Sequence, residues 1–166
     1  MSPDLDTSET KPNSDGDGEG LSATLYLRSG AGGTVERRQA DIRRRFEGVR
    51  EQAESLELDQ ERWSRTVVTP TDDDRSADAV STYRALTDAV QAAGGRLEPF
   101  FERRERRGGL LVGRPDGTRI TFPVACLVVR AGRTPVGCYP CWLDGTHYSV
   151  EDGLEALAAG DPANLR

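Results

Sequence analysis

The apolar residues of this chain shift their dominant period near Gly95, and that shift limits the fold more than any other feature. Before it two long stretches recur at helical spacing, and from Leu97 to Tyr148 apolar residues alternate with polar ones. In the first stretch Val35, Ile42, Phe46, Val49, Ala53 and Leu56 fall on one stripe of a long helix. Val80, Tyr83, Leu86, Val90 and Ala93 do the same for a second helix from about Ala77, closed by Gly94-Gly95. Amphipathic helices followed by alternating strands bury their apolar sides by stacking helix on sheet.

The strands follow from period and turn chemistry. Leu21–Arg28 (LSATLYLR) alternates as a first strand, Ser29–Gly33 is its turn, and Thr34 is read as the cap of the first helix. Trp63–Thr69 is β-prone and stops at Pro70. Leu97–Arg104 reads as a strand with Pro99 near its start, followed by a turn at Arg107-Gly108-Gly109. Leu110–Gly113 and Thr118–Phe122 flank Pro115-Asp116-Gly117, and Val124–Arg130 and Thr134–Trp142 flank Ala131-Gly132-Arg133, two hairpin signals. Asp144-Gly145 leads into a short Thr146–Tyr148 strand. Ser149 with Asp152 three residues on opens a last helix whose inner face is Val150, Leu154 and Leu157. The expected fold is α/β (α+β): β-α-β-α, a β-meander and a C-terminal helix, on a mixed sheet with helices mainly on one face. Residues 1–20 read as a disordered acidic tail, 21–160 as one domain and 161–166 as a C-terminal tail.

Charge narrows the function classes. In residues 1–20 six acids face the single Lys11, a net of −5, which leaves −1 of the total −6 for the rest. A near-neutral domain has no overall field to draw in nucleic acid. No apolar run approaches the ~20 residues a membrane span needs. The N-terminus has no basic stretch followed by an apolar one, so a cytoplasmic chain with reduced thiols is expected and no membrane partner.

Cys126, Cys138, Cys141 and His147 hold every cysteine and the only histidine in one window, the residue types a zinc site would need. A three-residue loop at Ala131-Gly132-Arg133 would set Cys126 opposite Cys138, Phe122 opposite Trp142 and Val128 opposite Val136. Ile120, Phe122, Val124, Cys126 and Val128 would then share an apolar face with Val136, Cys138 and Trp142. Strand parity sends Cys141 to the other face, and His147, paired with Trp142, lies ~13 Å from Cys138 at strand rise. The favoured reading is core packing, with no cofactor expected and zinc the alternative. A redox pair would need its first cysteine at a helix N-terminus, which this spacing does not provide.

Two arginine groups stand out. Arg37, Arg38, Arg43, Arg44, Arg45 and Arg50 interleave with Asp41, Glu47 and Glu54 at helical spacing, the pattern of a solvated, ion-paired face. Arg103, Arg104, Arg106 and Arg107, with Phe100 and Phe101 beside them, are candidates for contact with nucleic acid or an acidic partner; the competing reading is an edge strand guarded by charge. Ser29–Thr34 lacks the spacing of a phosphate-binding loop, and Asp72-Asp73-Asp74 lacks that of a calcium loop. No catalytic set is found, so the chain is not read as an enzyme.

Phe122–Ala158 runs Pro-Val-x-Cys-Leu, a Gly-centred turn, Tyr-Pro, Asp-Gly and Val-x-Asp-x-Leu-x-Ala-Leu. With Leu97–Phe101 and the opening strand, it resembles a group of small haloarchaeal proteins grouped as a helix-turn-helix domain family. The resemblance covers roughly residues 22–158 and implies a DNA-linked regulatory role, with no activity to carry over. A histidine often follows Tyr-Pro in that group where this chain has Cys141, which counts against an essential Cys-x-x-Cys site. A helix-turn-helix joins its helices by 3–4 residues, whereas here a β-prone stretch separates them. The expected function is therefore a non-catalytic binding or regulatory domain of unknown partner, nucleic acid or protein, the family resemblance implying DNA. The alternatives are a protein-interaction or homo-oligomerising module, or a small zinc- or thiol-containing protein.

Overall fold

The computed structural model describes residues 20–106 and 117–165. Its centre is a four-stranded sheet in the order β2-β1-β7-β8, made of β1 (Leu21–Arg28), β2 (Glu57–Trp63), β7 (Ala125–Ala131) and β8 (Thr134–Tyr139). The β1 and β2 strands are parallel, with Ala23 beside Leu58, so a crossover must join them; α1 (Thr34–Gln52) is that crossover. The other two pairs are antiparallel, which makes the sheet mixed. The α+β class stands as read.

Both faces of this sheet are covered. Ala23, Leu25 and Leu27 of β1 and Leu127 and Val129 of β7 meet Ile42, Phe46 and Val49 of α1 and Leu154 and Leu157 of α3 (Val150–Ala158). Ile42 and Phe46 are fully buried, each contributing about 1.5–3 kcal/mol by leaving water. The opposite face carries Tyr26, Cys126, Val128 and Cys138, packed on Val80, Tyr83, Leu86 and Val90 of α2 (Asp74–Ala92). Trp63 is the hub there, stacked on Tyr26 at 4.6 Å and lying 4.7 Å from Phe122, with its indole N–H donating to Pro123 O at 3.1 Å. Thus two helices share one face and α2 takes the other.

Two three-stranded sheets complete the α2 side. One has the order β3-β6-β5, from β3 (Thr66–Thr69), β6 (Gly117–Thr121) and β5 (Glu102–Arg106). The other has the order β10-β9-β4, from β10 (Thr146–Tyr148), β9 (Cys141–Leu143) and β4 (Gly95–Arg96). The Ser149–Asp152 capping box of α3 forms with both bonds present, and Asp144 and Gly145 both take positive φ in their tight turn.

Several local expectations are corrected. The first helix ends at Gln52, and its cap is Gly33, with no side-chain bond, rather than Thr34. Ala53 and Leu56 still pack on the same core from the turn beyond, so their spacing reported burial and not helix length. The second helix starts at Asp74 because Asp73 caps it through the Ser76 N–H. Leu97–Arg104 is not one strand: a turn with Phe100 N–H and Phe101 N–H both bonded to Leu97 O separates β4 from β5. Thr134–Trp142 is likewise split at Tyr139-Pro140, a cis peptide, and its second part joins a different sheet. The turn at Arg107-Gly108-Gly109, the Leu110–Gly113 strand and most of Pro115-Asp116-Gly117 lie outside the described residues.

The hairpin register also differs. Ala131 pairs with Thr134, which leaves a two-residue Gly132-Arg133 turn, and a bulge at Val129/Arg130 shifts the pairs beyond it. Val128 therefore faces Cys138, where Cys126 was expected, and Val136 packs on the α1/α3 core instead of beside Val128. Trp142 pairs with Arg96 and His147, not Phe122.

Candidate nucleic-acid interface

Strand parity divides the Arg103–Arg106 run. In β3-β6-β5, Val67 and Ile120 point into the core, so their neighbours along each strand point out. Arg104 pairs with Arg119, and Arg119 pairs with Val68 on the far side; all three are exposed on the outer face. Arg106, opposite Gly117, is the next outward position of β5. Arg103 takes the inner register beside Ile120 at the open edge, where it forms a 3.9 Å ion pair with Glu105. Arg107 lies outside the described residues. The run is therefore not one patch: Arg104 and Arg106 point outward, while Arg103 is paired along the edge.

What the outer face gains comes from elsewhere in the chain. Arg65, Arg104 and Arg119 line one shallow cavity of about 390 Å³ with Thr66, Thr121 and Glu102. Like charges directly opposite across a strand pair are destabilising. Here Arg104 and Arg119 are so placed, and among the described residues neither they nor Arg65 form an ion pair. Glu102 is the single carboxylate of the lining, against three guanidiniums. Sequence reading missed Arg65 and Arg119, because nothing local to either residue signals the β5–β6 pairing.

The α1 arginines behave differently. Asp41 pairs with both Arg44 and Arg45, Glu47 with Arg50, and Arg38 reaches Glu151 of α3 at 3.2 Å. Partial burial works to raise the Glu151 carboxyl, yet the Arg38 hydrogen bond and charge outweigh it and hold the group below its usual range. This is an ion-paired face that also fastens α1 to α3. Of the i,i+4 pairs that the interleaving offers, Asp41–Arg45 is the one formed among the described residues; Arg44 and Arg50 use i,i+3 partners and Arg38 crosses to α3.

No helix offers an obvious reading head. Residues 53–73, including β2 and β3, separate α1 from α2, and the two helices pack on opposite faces of the central sheet. Asp74, Asp78 and Asp88 are exposed along α2 beside Arg75 and Arg84, an acidic balance unsuited to a phosphate backbone. The Asp72-Asp73-Asp74 run serves α2 itself: Asp73 accepts from Ser76 N–H and Oγ, which holds its carboxyl below the usual range.

The cysteine window assembles in part. After the cis peptide Cys141 turns inward, so it lies in the same core as Cys126 and Cys138 and all three are fully buried. This corrects the placement of Cys141 on the other face. The Cys138 thiol donates to Pro140 O at 3.8 Å; its interaction with the Cys126 thiol, and burial, push it well above the usual thiol range. Cys141 is pushed up in turn by its bond with Cys138 and by burial, and it donates to Cys138 O at 3.1 Å. Asn164 clamps the group, accepting from Cys138 N–H and donating to Cys138 O, both at 2.9 Å. His147 takes no part; it is exposed on the outer face of β10. Among the described residues no group of three or more His, Cys, Asp or Glu is arranged to hold a metal ion. No described helix is long and apolar enough to cross a membrane.

A family model described as a helix-turn-helix domain matches residues 16–162. No curated protein and no solved structure matches the chain.

Proposed function

Since the chain belongs to the helix-turn-helix domain family, we propose that it is a non-catalytic regulatory domain that contacts nucleic acid, and that it does so through the outer face of β3-β6-β5. The juxtaposition of Arg104 and Arg119 around the cavity that Arg65 closes carries this reading. An anion between these guanidiniums removes their mutual repulsion, and charge-assisted bonds from arginine suit phosphate oxygens in particular. The helices give no comparable surface, so the contact is assigned to a sheet, as in other strand-based readers. Such a surface engages the backbone and positions the chain without reading sequence.

The test is a salt titration of binding to random-sequence duplex DNA, followed by fluorescence anisotropy. Each phosphate contact contributes about 0.9 to the slope of log affinity against log salt, so Arg104→Ala with Arg119→Ala should lower that slope by about 2. Absence of binding at low salt, or an unchanged slope in the variant, sinks the proposal. A second reading rests on β3 and β5 being the edges of their sheet among the described residues: pairing through such an edge would make the chain a homo-oligomer. Sedimentation of the full chain decides it, a monomer at all concentrations ruling it out.

A further inference from the structure

The outer face of β10-β9-β4 carries a different kind of surface. Parity in β9 sends Cys141 and Leu143 into the core and leaves Trp142 outside. The register then sets Arg96 on one side of Trp142 and His147 on the other, in a single cross-strand row. The His147 ring lies 5.2 Å from Trp142 and is stacked on Phe100 at 4.9 Å and 18°, while the Arg96 guanidinium sits 5.5 Å over the indole. His147 and Arg96 are exposed, and Trp142 and Phe100 are half-buried. Cys141 and Leu143 fill the core beneath and Phe100 packs against it, so Trp142 and His147 are the rings set outside it. The Trp142 indole N–H has no acceptor among the described residues, although indole donors usually find one.

A short stretch of chain joins this row to the arginine face. The turn after β4 sends Phe101 into the core and leaves Phe100 beside His147, and four residues later β5 presents Arg104. Four residues of chain span at most about 14 Å, so stacking rings and phosphate-binding cations are near neighbours. Rings with an adjoining guanidinium stack on the faces of nucleobases whatever the base, and nearby cations follow the backbone. A duplex hides those faces inside its own stack, whereas a single strand presents them. We infer that the nucleic acid this chain takes is single-stranded, its unpaired bases lying on Phe100, His147 and Trp142 and its phosphates on Arg104 and Arg119. The inference rests on the phosphate-contact reading of the β3-β6-β5 face.

The experiment compares a labelled oligothymidine of about 16 nucleotides with a random duplex of equal length, both titrated with the full chain at low salt. The single strand is expected to bind about tenfold tighter or more. His147→Ala, at an exposed position, should reduce single-strand affinity severalfold and leave duplex affinity unchanged; Phe100→Ala should do the same where circular dichroism shows it folded. Trp63 is buried, so quenching of tryptophan emission by the oligonucleotide reports Trp142 and should vanish in Trp142→Phe. Equal affinity for the two nucleic acids, or a His147→Ala variant that binds the single strand as before, overturns the inference. If in that case Arg104→Ala with Arg119→Ala still weakens duplex binding, the phosphate-contact reading survives alone. Binding of neither form removes both.

Discussion

Gly153 and Gly48 both sit inside helices, yet replacement by alanine should move stability in opposite directions. Alanine is favoured over glycine in a helix interior by about 1 kcal/mol, since it restricts the unfolded chain. At Gly48 an added Cβ meets nothing within 4 Å, so most of that gain should appear. At Gly153 the Cβ would stand 2.5 Å from Tyr139 Cγ, 2.7 Å from Cδ2 and 2.9 Å from Cβ. Carbon atoms sit comfortably at about 3.5–4.0 Å, so ring or helix must retreat by roughly 1 Å. Tyr139 cannot swing aside: it is buried, two of the three close atoms are at the root of the side chain, and its hydroxyl donates to Pro162 O at 2.8 Å. Overpacking of this kind costs about 1–3 kcal/mol. Set against the helical gain, Gly153→Ala should lose up to about 2 kcal/mol where Gly48→Ala gains about 0.5–1. Urea denaturation with a common m-value would read both, and in a chain of this size each kcal/mol should move Tm by about 2–4 °C. Adding Tyr139→Ala should make Gly153→Ala favourable, a non-additivity diagnostic of contact. A Gly153→Ala variant as stable as Gly48→Ala would refute the close approach of α3 to β8.

Gln39 is buried and its amide donates to Arg28 O and Val124 O, both at 2.9 Å; Gln39→Ala should cost about 1–3 kcal/mol in denaturant titration by orphaning two carbonyls. Asn164→Ala should cost a similar ~1–3 kcal/mol, because it leaves the Cys138 N–H and C=O without their side-chain partner. All three thiols are buried, and those of Cys138 and Cys141 are also pushed up in pKa, so none should react with a disulfide reagent in the folded chain and all three should once urea unfolds it; one fast native thiol would contradict the packing. The Glu151 carboxyl titrates lower folded than unfolded, so its stabilisation is complete above the unfolded value and is lost as pH falls through the folded one. Half-exposed Arg38 limits the pair to about 0.5 kcal/mol, so wild type should exceed Glu151→Gln by that much near neutrality and by nothing well below pH ~4.

Local chemistry was legible and long-range pairing was not. The α1 and α2 stripes, the Ser149–Asp152 box, the Asp144-Gly145 turn and the Trp142–His147 pair could all be read from neighbours in sequence. Strand β2 escaped because ELDQERW buries only Leu58 and Trp63, too few apolar positions to alternate. Cys141 was placed on the wrong face because parity holds only within one strand, and the chain leaves β8 at Pro140. The two-residue turn and the bulge at Val129/Arg130 each move the register by one, so Cys126 and Cys138 still share a face, since two residues of shift preserve parity.

The same difference between local and summed quantities bears on the charge. A domain total near −1 argues against phosphate binding only if a partner feels the whole domain. Screening in physiological salt confines exposed charges to about 8 Å, so a bound phosphate responds to the groups that line its own site. In the fold many acids lie away from that cavity: Glu151, Asp152 and Glu155 on α3, and Asp74, Asp78 and Asp88 on α2. The lining of the β3-β6-β5 cavity keeps three arginines against Glu102. Net charge then sets how slowly the partner is attracted from a distance, and the cavity sets how it is held. A surface of this kind should associate without long-range steering and depend on salt only through the few phosphates it holds, so a slope much steeper than about 3 would mean that contacts beyond Arg65, Arg104 and Arg119 carry the binding.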